Sequence, residues 1–173
     1  EVPTAPSAPA SNQARTQVSS DATSFRVTLA PQDQERLASF IDAGTTPATQ
    51  ALGSGERRAL VRDALDTMGR APTQTDLERL AQGQIPQTRN LAREREQLPR
   101  ARSTFRTIYG RDPNFQNAQE NLAWNTLMYR IRFTRDLAQE REGITTFRQT
   151  FRRAPSDPFQ WAVVRVLWYV RYV

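Results

Sequence analysis

Phe105-Arg106-Thr107-Ile108-Tyr109-Gly110-Arg111-Asp112-Pro113, followed after a polar gap by Asn121-Leu122-Ala123-Trp124-Asn125-Thr126-Leu127-Met128-Tyr129, is the stretch that decides the fold. An apolar helix end, a Gly stop, a Pro restart and a second apolar helix make one helix-turn-helix unit. The punctuation recurs: Gly69-Arg70-Ala71-Pro72 lies 41 residues before it and Arg152-Arg153-Ala154-Pro155 lies 42 residues after it. These spacings predict an all-α fold, a short right-handed array of helix-turn-helix repeats with a period of about 41. Its repeat turns are Gly69, Pro72, Gly110, Pro113 and Pro155. Arg152 stands where the first two turns have Gly, and a side chain in a left-handed cap costs about 1 kcal/mol, so the third turn is expected to differ in geometry.

Two further segments agree in position. Leu91-Ala92-Arg93-Glu94-Arg95-Glu96 and Leu137-Ala138-Gln139-Glu140-Arg141-Glu142 both fall in the helix that leads into a turn. Their neighbouring charges do not face one another, so they read as solvated helix surface. Around the first of them, Gln87 to Tyr109 is expected to be helical with a break at Pro99, where a bond is lost and the ring meets the preceding turn. Upstream, Pro31 opens a helix to about Asp42 that Gly44 ends, and Ser54 is expected to cap the helix that stops at Gly69. Thr73 with Asp76 has the spacing of a capping box, and Ser156 is expected to cap the last helix.

Residues 1–29 read as an extended low-complexity arm and residues 30–173 as the helical repeat domain. Pro3, Pro6 and Pro9 stand among Ala, Ser and Thr, a composition that buries too little apolar surface to offset its own ordering. Phe25, Val27 and Leu29 alternate with polar residues, as in an arm with one buried face. At the other end, Phe159 to Val173 is apolar almost all round, which calls for cover beyond one neighbouring repeat. The expected subunit interface therefore joins Phe25, Val27 and Leu29 to Trp161, Val164, Trp168 and Tyr172 of a neighbouring copy.

Composition narrows the chemistry. Cys and His are absent and all 24 basic residues are Arg, so thiolate, imidazole and Schiff-base catalysis have no residue to use. No catalytic, cofactor or metal-ligating pattern is present, and no enzyme is expected. No run of 18 uncharged apolar residues predicts a membrane span. The chain begins with Glu1 and continues Ala/Pro/Ser/Thr-rich, as a segment does after signal cleavage, so a secreted or cell-surface protein is expected. The net charge of +6 comes entirely from the C-terminal part, where residues 101–173 hold 12 Arg against 6 acids.

The series Leu52-Gly53-Ser54-Gly55-Glu56-Arg57, Gly69-Arg70-Ala71-Pro72, Phe105 to Pro113 and Trp161 to Tyr169 resembles the helical repeat region of secreted or surface proteins from reduced-genome, candidate-phylum bacteria. The resemblance covers about residues 29 to 170 and implies an extracellular setting without a reaction. Arg152 departs from the small residue usual at that family's third turn.

Two functions follow as expectations. The first is a structural subunit of an extracellular self-assembling filament or surface lattice, a homopolymer held by N-terminal arm exchange and by its apolar C-terminal helix. The alternative is a secreted polyanion-binding module for an acidic cell-wall polymer or, less favoured, nucleic acid. There Arg130, Arg132, Arg135, Arg148, Arg152, Arg153 and Arg165 would act among Phe133, Phe147, Phe151 and Trp161.

Overall fold

A computed structural model describes residues 8–171, and among them no strand occurs. The helices are α1 (Asn12–Ser24), α2 (Pro31–Ala43), α3 (Pro47–Gln50), α4 (Ser54–Met68), α5 (Gln74–Ala81), α6 (Leu91–Tyr109), α7 (Ala118–Tyr129), α8 (Leu137–Phe151) and α9 (Pro158–Arg165). The last continues into a π-helical turn at Val166–Val170. The chain divides into two compact units, residues 1–72 and 73–173. The boundary falls at the end of the first of the three expected repeat turns, just after Pro72.

In the first unit α1, α2 and α4 pack against one another around Val18, Leu37, Phe40, Ile41, Leu60, Val61 and Leu65. The segment expected to be an extended arm is thus corrected over Asn12–Ser24 to a helix folded into its own unit, while residues 1–7 of that arm lie outside the described residues. Ala14, Val18 and Ala22 recur every four residues and are all buried, a narrow stripe of small side chains that lets α1 lie close to its neighbours. Polar contacts fix both ends. Ser11 caps the helix while its own N–H and hydroxyl donate to Asp42, at 2.6 and 2.8 Å. Glu35 accepts from the Ala10 N–H (2.8 Å) and from the Arg15 guanidinium (2.6 Å). Asp21, only 4% exposed, accepts from Arg58 at 3.0 and 3.1 Å and lies 3.3 Å from the Arg62 guanidinium.

The end of α1 accounts for Val27. Arg26 is left-handed (φ 56°), the Arg26 N–H donates to the Thr23 carbonyl and the Val27 N–H to the Ala22 carbonyl. That is the double-bonded stop in which the residue after the left-handed one packs back on the last turn. Val27 is buried by its own helix end. Phe25 and Leu29 are each partly covered, and Arg62 lies over the Phe25 ring at 5.8 Å.

Arg57 holds this unit together at a place the sequence does not mark. Only 6% exposed, it donates from Nε to the Ile41 carbonyl and from Nη2 to the Asp42 carbonyl, both at 2.7 Å. Its Nη1 reaches the Thr49 carbonyl at 3.3 Å and also the Leu52 carbonyl. Ile41 and Asp42 lie in the last turn of α2, where carbonyls lack helical partners, so one side chain of α4 closes α2 and the loop after it. Ser54 does not cap α4; Gly53 occupies that position, without a side-chain bond.

The second unit contains two helix hairpins built to one plan. α6 packs on α7, α8 packs on α9 and the π turn, and the hairpins meet through α7 and α9. Ala101, Phe105, Tyr109, Gly110 and Pro113 have counterparts 42 residues later in Gly143, Phe147, Phe151, Arg152 and Pro155. The aromatic pairs stack within each helix, Phe105 on Tyr109 at 4.3 Å and Phe147 against Phe151 at 4.8 Å. A Cβ on Gly143 would sit 3.1 Å from Val164 and Trp168 atoms, so α8 and α9 come close at that point.

All three turns begin the same way. Gly69 (φ 65°), Gly110 (φ 75°) and Arg152 (φ 57°) are left-handed caps whose N–H groups donate four residues back. The expected difference at Arg152 is therefore absent: its backbone follows the glycines despite its side chain. The Thr73–Asp76 capping box forms in both directions, at 2.9 and 3.1 Å. α6 runs through Pro99 unbroken, on a solvent-facing turn where the carbonyl one turn back can be solvated. Asp157, and not Ser156, caps α9; Ser156 donates to the Gln160 side chain instead. The last helix also needs less outside cover than its composition suggests. Phe159, Val163, Val164, Val166, Leu167 and Val170 are buried, Trp168 and Tyr169 are partly covered, and Trp161 keeps 36% exposure.

Candidate functional site

The expected interface residues are divided between the two units. Phe25, Val27 and Leu29 belong to the first unit; Trp161, Val164 and Trp168 belong to the second; Tyr172 lies outside the described residues. The turn residues are placed as caps and restarts, with Pro72 buried, Pro113 and Pro155 partly covered, and Gly69 and Gly110 exposed.

The basic candidates sort into two groups. Arg135 pairs with Glu140 at 2.9 Å, Arg165 donates to the Ile131 carbonyl at 2.9 Å, and Arg130 and Arg132 are partly buried. Arg148, Arg152 and Arg153 are exposed. Arg141, which sequence reasoning passed over as solvated surface, joins them. Positions 141 and 148 fall within about 20° of one another on α8, roughly 10 Å apart along its axis, and Arg152 is the left-handed cap that follows its last residue. Glu142, also exposed, is turned about 100° away from Arg141.

Comparison of the two hairpins explains why Arg148 and Arg153 have no acid beside them. In the α6–α7 turn Asp112 receives two guanidinium forks, from Arg102 at 3.0 and 2.9 Å and from Arg106 at 2.7 and 2.8 Å. These two arginines hold the Asp112 carboxyl well below the usual carboxylate range. Glu120 accepts from the Asn114 N–H at 2.8 Å and from Arg111 at 3.0 and 2.5 Å, which lowers its carboxyl too. In the α8–α9 turn both acids are missing. Ala154 takes the place of Asp112, and Gln160 takes the place of Glu120 at the third position of its helix. Arg148 and Arg153, the counterparts of Arg106 and Arg111, thus have no equivalent acid, and the turn adds Arg152 where the other has Gly110.

Of the candidate aromatic residues, only Trp161 is open to solvent. Phe147 is buried, Phe151 packs against it, and Phe133 stacks on Tyr169 at 5.1 Å. Charge follows the same division: the first unit has seven Arg against eight acids, the second 17 Arg against 10. A cleft of about 280 Å³ in the first unit is lined in part by Gln17, Asp42, Ser54, Arg58 and Arg62. Its two arginines already serve Asp21. Among the described residues no three His, Cys, Asp or Glu side chains gather as a metal site would require, and no helix is long and apolar enough to cross a membrane. No protein-family model, curated protein or solved structure matches the chain.

Proposed function

We propose that this chain is a secreted, non-catalytic helical module that holds an acidic cell-envelope polymer along α8 and the turn that follows it. The observation that carries the reading is the exchange of Asp112 and Glu120 in one hairpin for Ala154 and Gln160 in the other, which leaves Arg148 and Arg153 without the acids their counterparts have, beside Arg141 and Arg152, all four exposed. Guanidinium groups suit carboxylate and phosphate by their planar fork, and a row of them suits a linear polyanion better than a compact one. With Trp161 the one candidate ring open to solvent, there is no platform on which successive bases stack, so nucleic acid is bound as a phosphate chain.

The test is affinity for polyphosphate and polygalacturonate. Replacing Arg141, Arg148 and Arg152 by Gln should abolish binding with the helical signal intact. Ala154→Asp, which restores the missing acid, should weaken it several-fold. Unchanged affinity in both variants would overturn the proposal.

A second reading keeps the chain as a structural subunit of an extracellular filament or surface lattice. It is favoured by the exposure of Leu91, Leu98 and Leu137, at 57, 45 and 57%. Arm exchange loses its support, because α1 is packed into its own unit; assembly would use the outer faces of α6 and α8. The matched hairpins, with the 41- and 42-residue spacing of the three caps, support degenerate repeats, and a right-handed array is the arrangement we propose for them.

A further inference from the structure

The two hairpin turns of the second unit differ in length as well as in charge. From the left-handed cap to the next N-cap the chain takes seven steps in the first, Gly110 to Asn117, and five in the second, Arg152 to Asp157. Pro155 is followed by Ser156 alone before the cap, while Pro113 is followed by Asn114, Phe115 and Gln116. The first turn thus carries two residues that a hairpin of this plan closes without. They are held in place. The Asn114 N–H donates to the buried Glu120 carboxylate at 2.8 Å, the Asn114 side-chain oxygen accepts from the Gln116 N–H at 3.1 Å, and the Asn114 carbonyl accepts from the Asn117 N–H at 3.0 Å. Between these bonds Phe115 keeps 53% exposure, its ring edge-to-face with Trp124 at 5.7 Å. Trp124 is half-buried and is braced in turn by Phe105 at 6.1 Å.

Amides surround this pair of rings. Gln116 follows Phe115 in the chain, and Asn121 lies one turn before Trp124 on the same side of α7. Asn125 donates to the Asn121 carbonyl and side-chain oxygen at 2.7 and 2.9 Å, which leaves the Asn121 amide nitrogen without a partner among the described residues. The Asn117 oxygen caps α7 at 3.0 Å, and its amide nitrogen and the Gln116 amide are likewise unpaired there. The charged groups of the turn satisfy one another: Asp112 holds Arg102 and Arg106, and Glu120 holds Arg111. A fixed, half-open aromatic ring beside neutral donors and acceptors suits a pyranose, whose C–H face is apolar and whose hydroxyls both donate and accept. We propose that Phe115 and Trp124, with Gln116, Asn117 and Asn121, bind one neutral sugar ring of a saccharide chain. Phe115 supplies the stacking surface, Trp124 fixes its tilt, and the amides read hydroxyl or acetamido groups. This site shares no residue with the arginines of α8 and asks no charge of its ligand, so it stands independently of the polyanion reading.

The probes are the N-acetylglucosamine hexamer, cellohexaose and maltohexaose, titrated into the full chain and followed by calorimetry and tryptophan fluorescence. At least one should bind saturably, with the same affinity at low and high salt, since no charge on the ligand is involved. Phe115→Ala should weaken that binding by about tenfold. It should leave the melting temperature within a few degrees of wild type, because more than half of the side chain already faces water. Gln116→Ala, which removes no side-chain bond within the fold, should weaken binding several-fold. Trp161→Ala should bind as wild type does. So should the variant with Gln at positions 141, 148 and 152, while Phe115→Ala should keep its affinity for polyphosphate; failure at one site is thereby read apart from failure at the other. No binding of any of the three saccharides overturns the proposal, as does equal binding by wild type and Phe115→Ala. A proline-rich peptide that binds at Phe115 where no saccharide does would overturn it in favour of a peptide dock.

Discussion

Replacing Arg57 by Met tests how the first unit is held. Methionine keeps much of the aliphatic stem and forms helix as readily as arginine, so the substitution removes mainly the guanidinium. Lost with it are two 2.7 Å bonds to the Ile41 and Asp42 carbonyls, a 3.3 Å bond to the Thr49 carbonyl and the bond to Leu52. A bond from a charged donor contributes about 1.5–3 kcal/mol net, and a buried carbonyl left without a partner adds a penalty of its own. At the low end of that range the two short bonds alone set the loss at about 3 kcal/mol, and the other two bonds can only add to it. In a unit of 72 residues, about 3 kcal/mol lowers the melting temperature by roughly 12–24 °C. Urea and thermal unfolding followed by far-UV circular dichroism is the assay, because the first unit has no Trp or Tyr of its own. Arg57→Lys should recover only part of the loss, since one ammonium cannot reach carbonyls on two sides. A loss below about 1 kcal/mol for Arg57→Met, or full recovery with Lys, would refute the assignment of Arg57 as the closure of α2.

Three other outcomes are expected. The Tyr109 hydroxyl is buried with no hydrogen-bond partner among the described residues, and burial pushes its ionisation up to about 12. Tyr109→Phe should therefore stabilise by about 1 kcal/mol at neutral pH. It should also remove a fall in stability between the unfolded phenol's pH of about 10 and the folded value; the fall arises because the unfolded chain releases its proton first, at no more than about 1.4 kcal/mol per pH unit. Arg152→Gly should relieve the left-handed cap and raise stability by about 0.5–1 kcal/mol while weakening polymer binding, which separates the two roles of that residue by calorimetry and titration. Asp112→Ala releases Arg102 and Arg106 and should tighten polyanion binding several-fold, measured by titration at fixed salt.

The turns were legible because each carries its own local chemistry. A left-handed cap followed by proline is a signal that needs nothing distant, and so are Pro31 at a helix start and the Thr73–Asp76 box. α1 was not legible, since its buried stripe is only Ala14, Val18 and Ala22, and its anchors Glu35, Asp42 and Arg58 lie far along the chain. Pro99 misled for a related reason. A missing bond on a solvent-facing turn costs less than one inside a core, and sequence alone does not say which face it occupies. Arg57 stood in plain view in the Leu52 to Arg57 series, yet its partners are backbone carbonyls, which leave no trace in side-chain identity. The polymer site was half readable. The exchange of Asp112 for Ala154 follows from aligning two turns already recognised, while the openness of Arg141 depends on which face α8 turns outward.

The most direct measurement of the central claim is the salt dependence of polyphosphate affinity for the wild-type chain and for the variant with Gln at positions 141, 148 and 152. Every phosphate that an arginine neutralises releases nearly one counterion, so the slope of log affinity against log salt should fall by about three when the three arginines are removed. Equal slopes in the two proteins would mean that the acidic polymer is held elsewhere, and that the open row on α8 is only solvated surface.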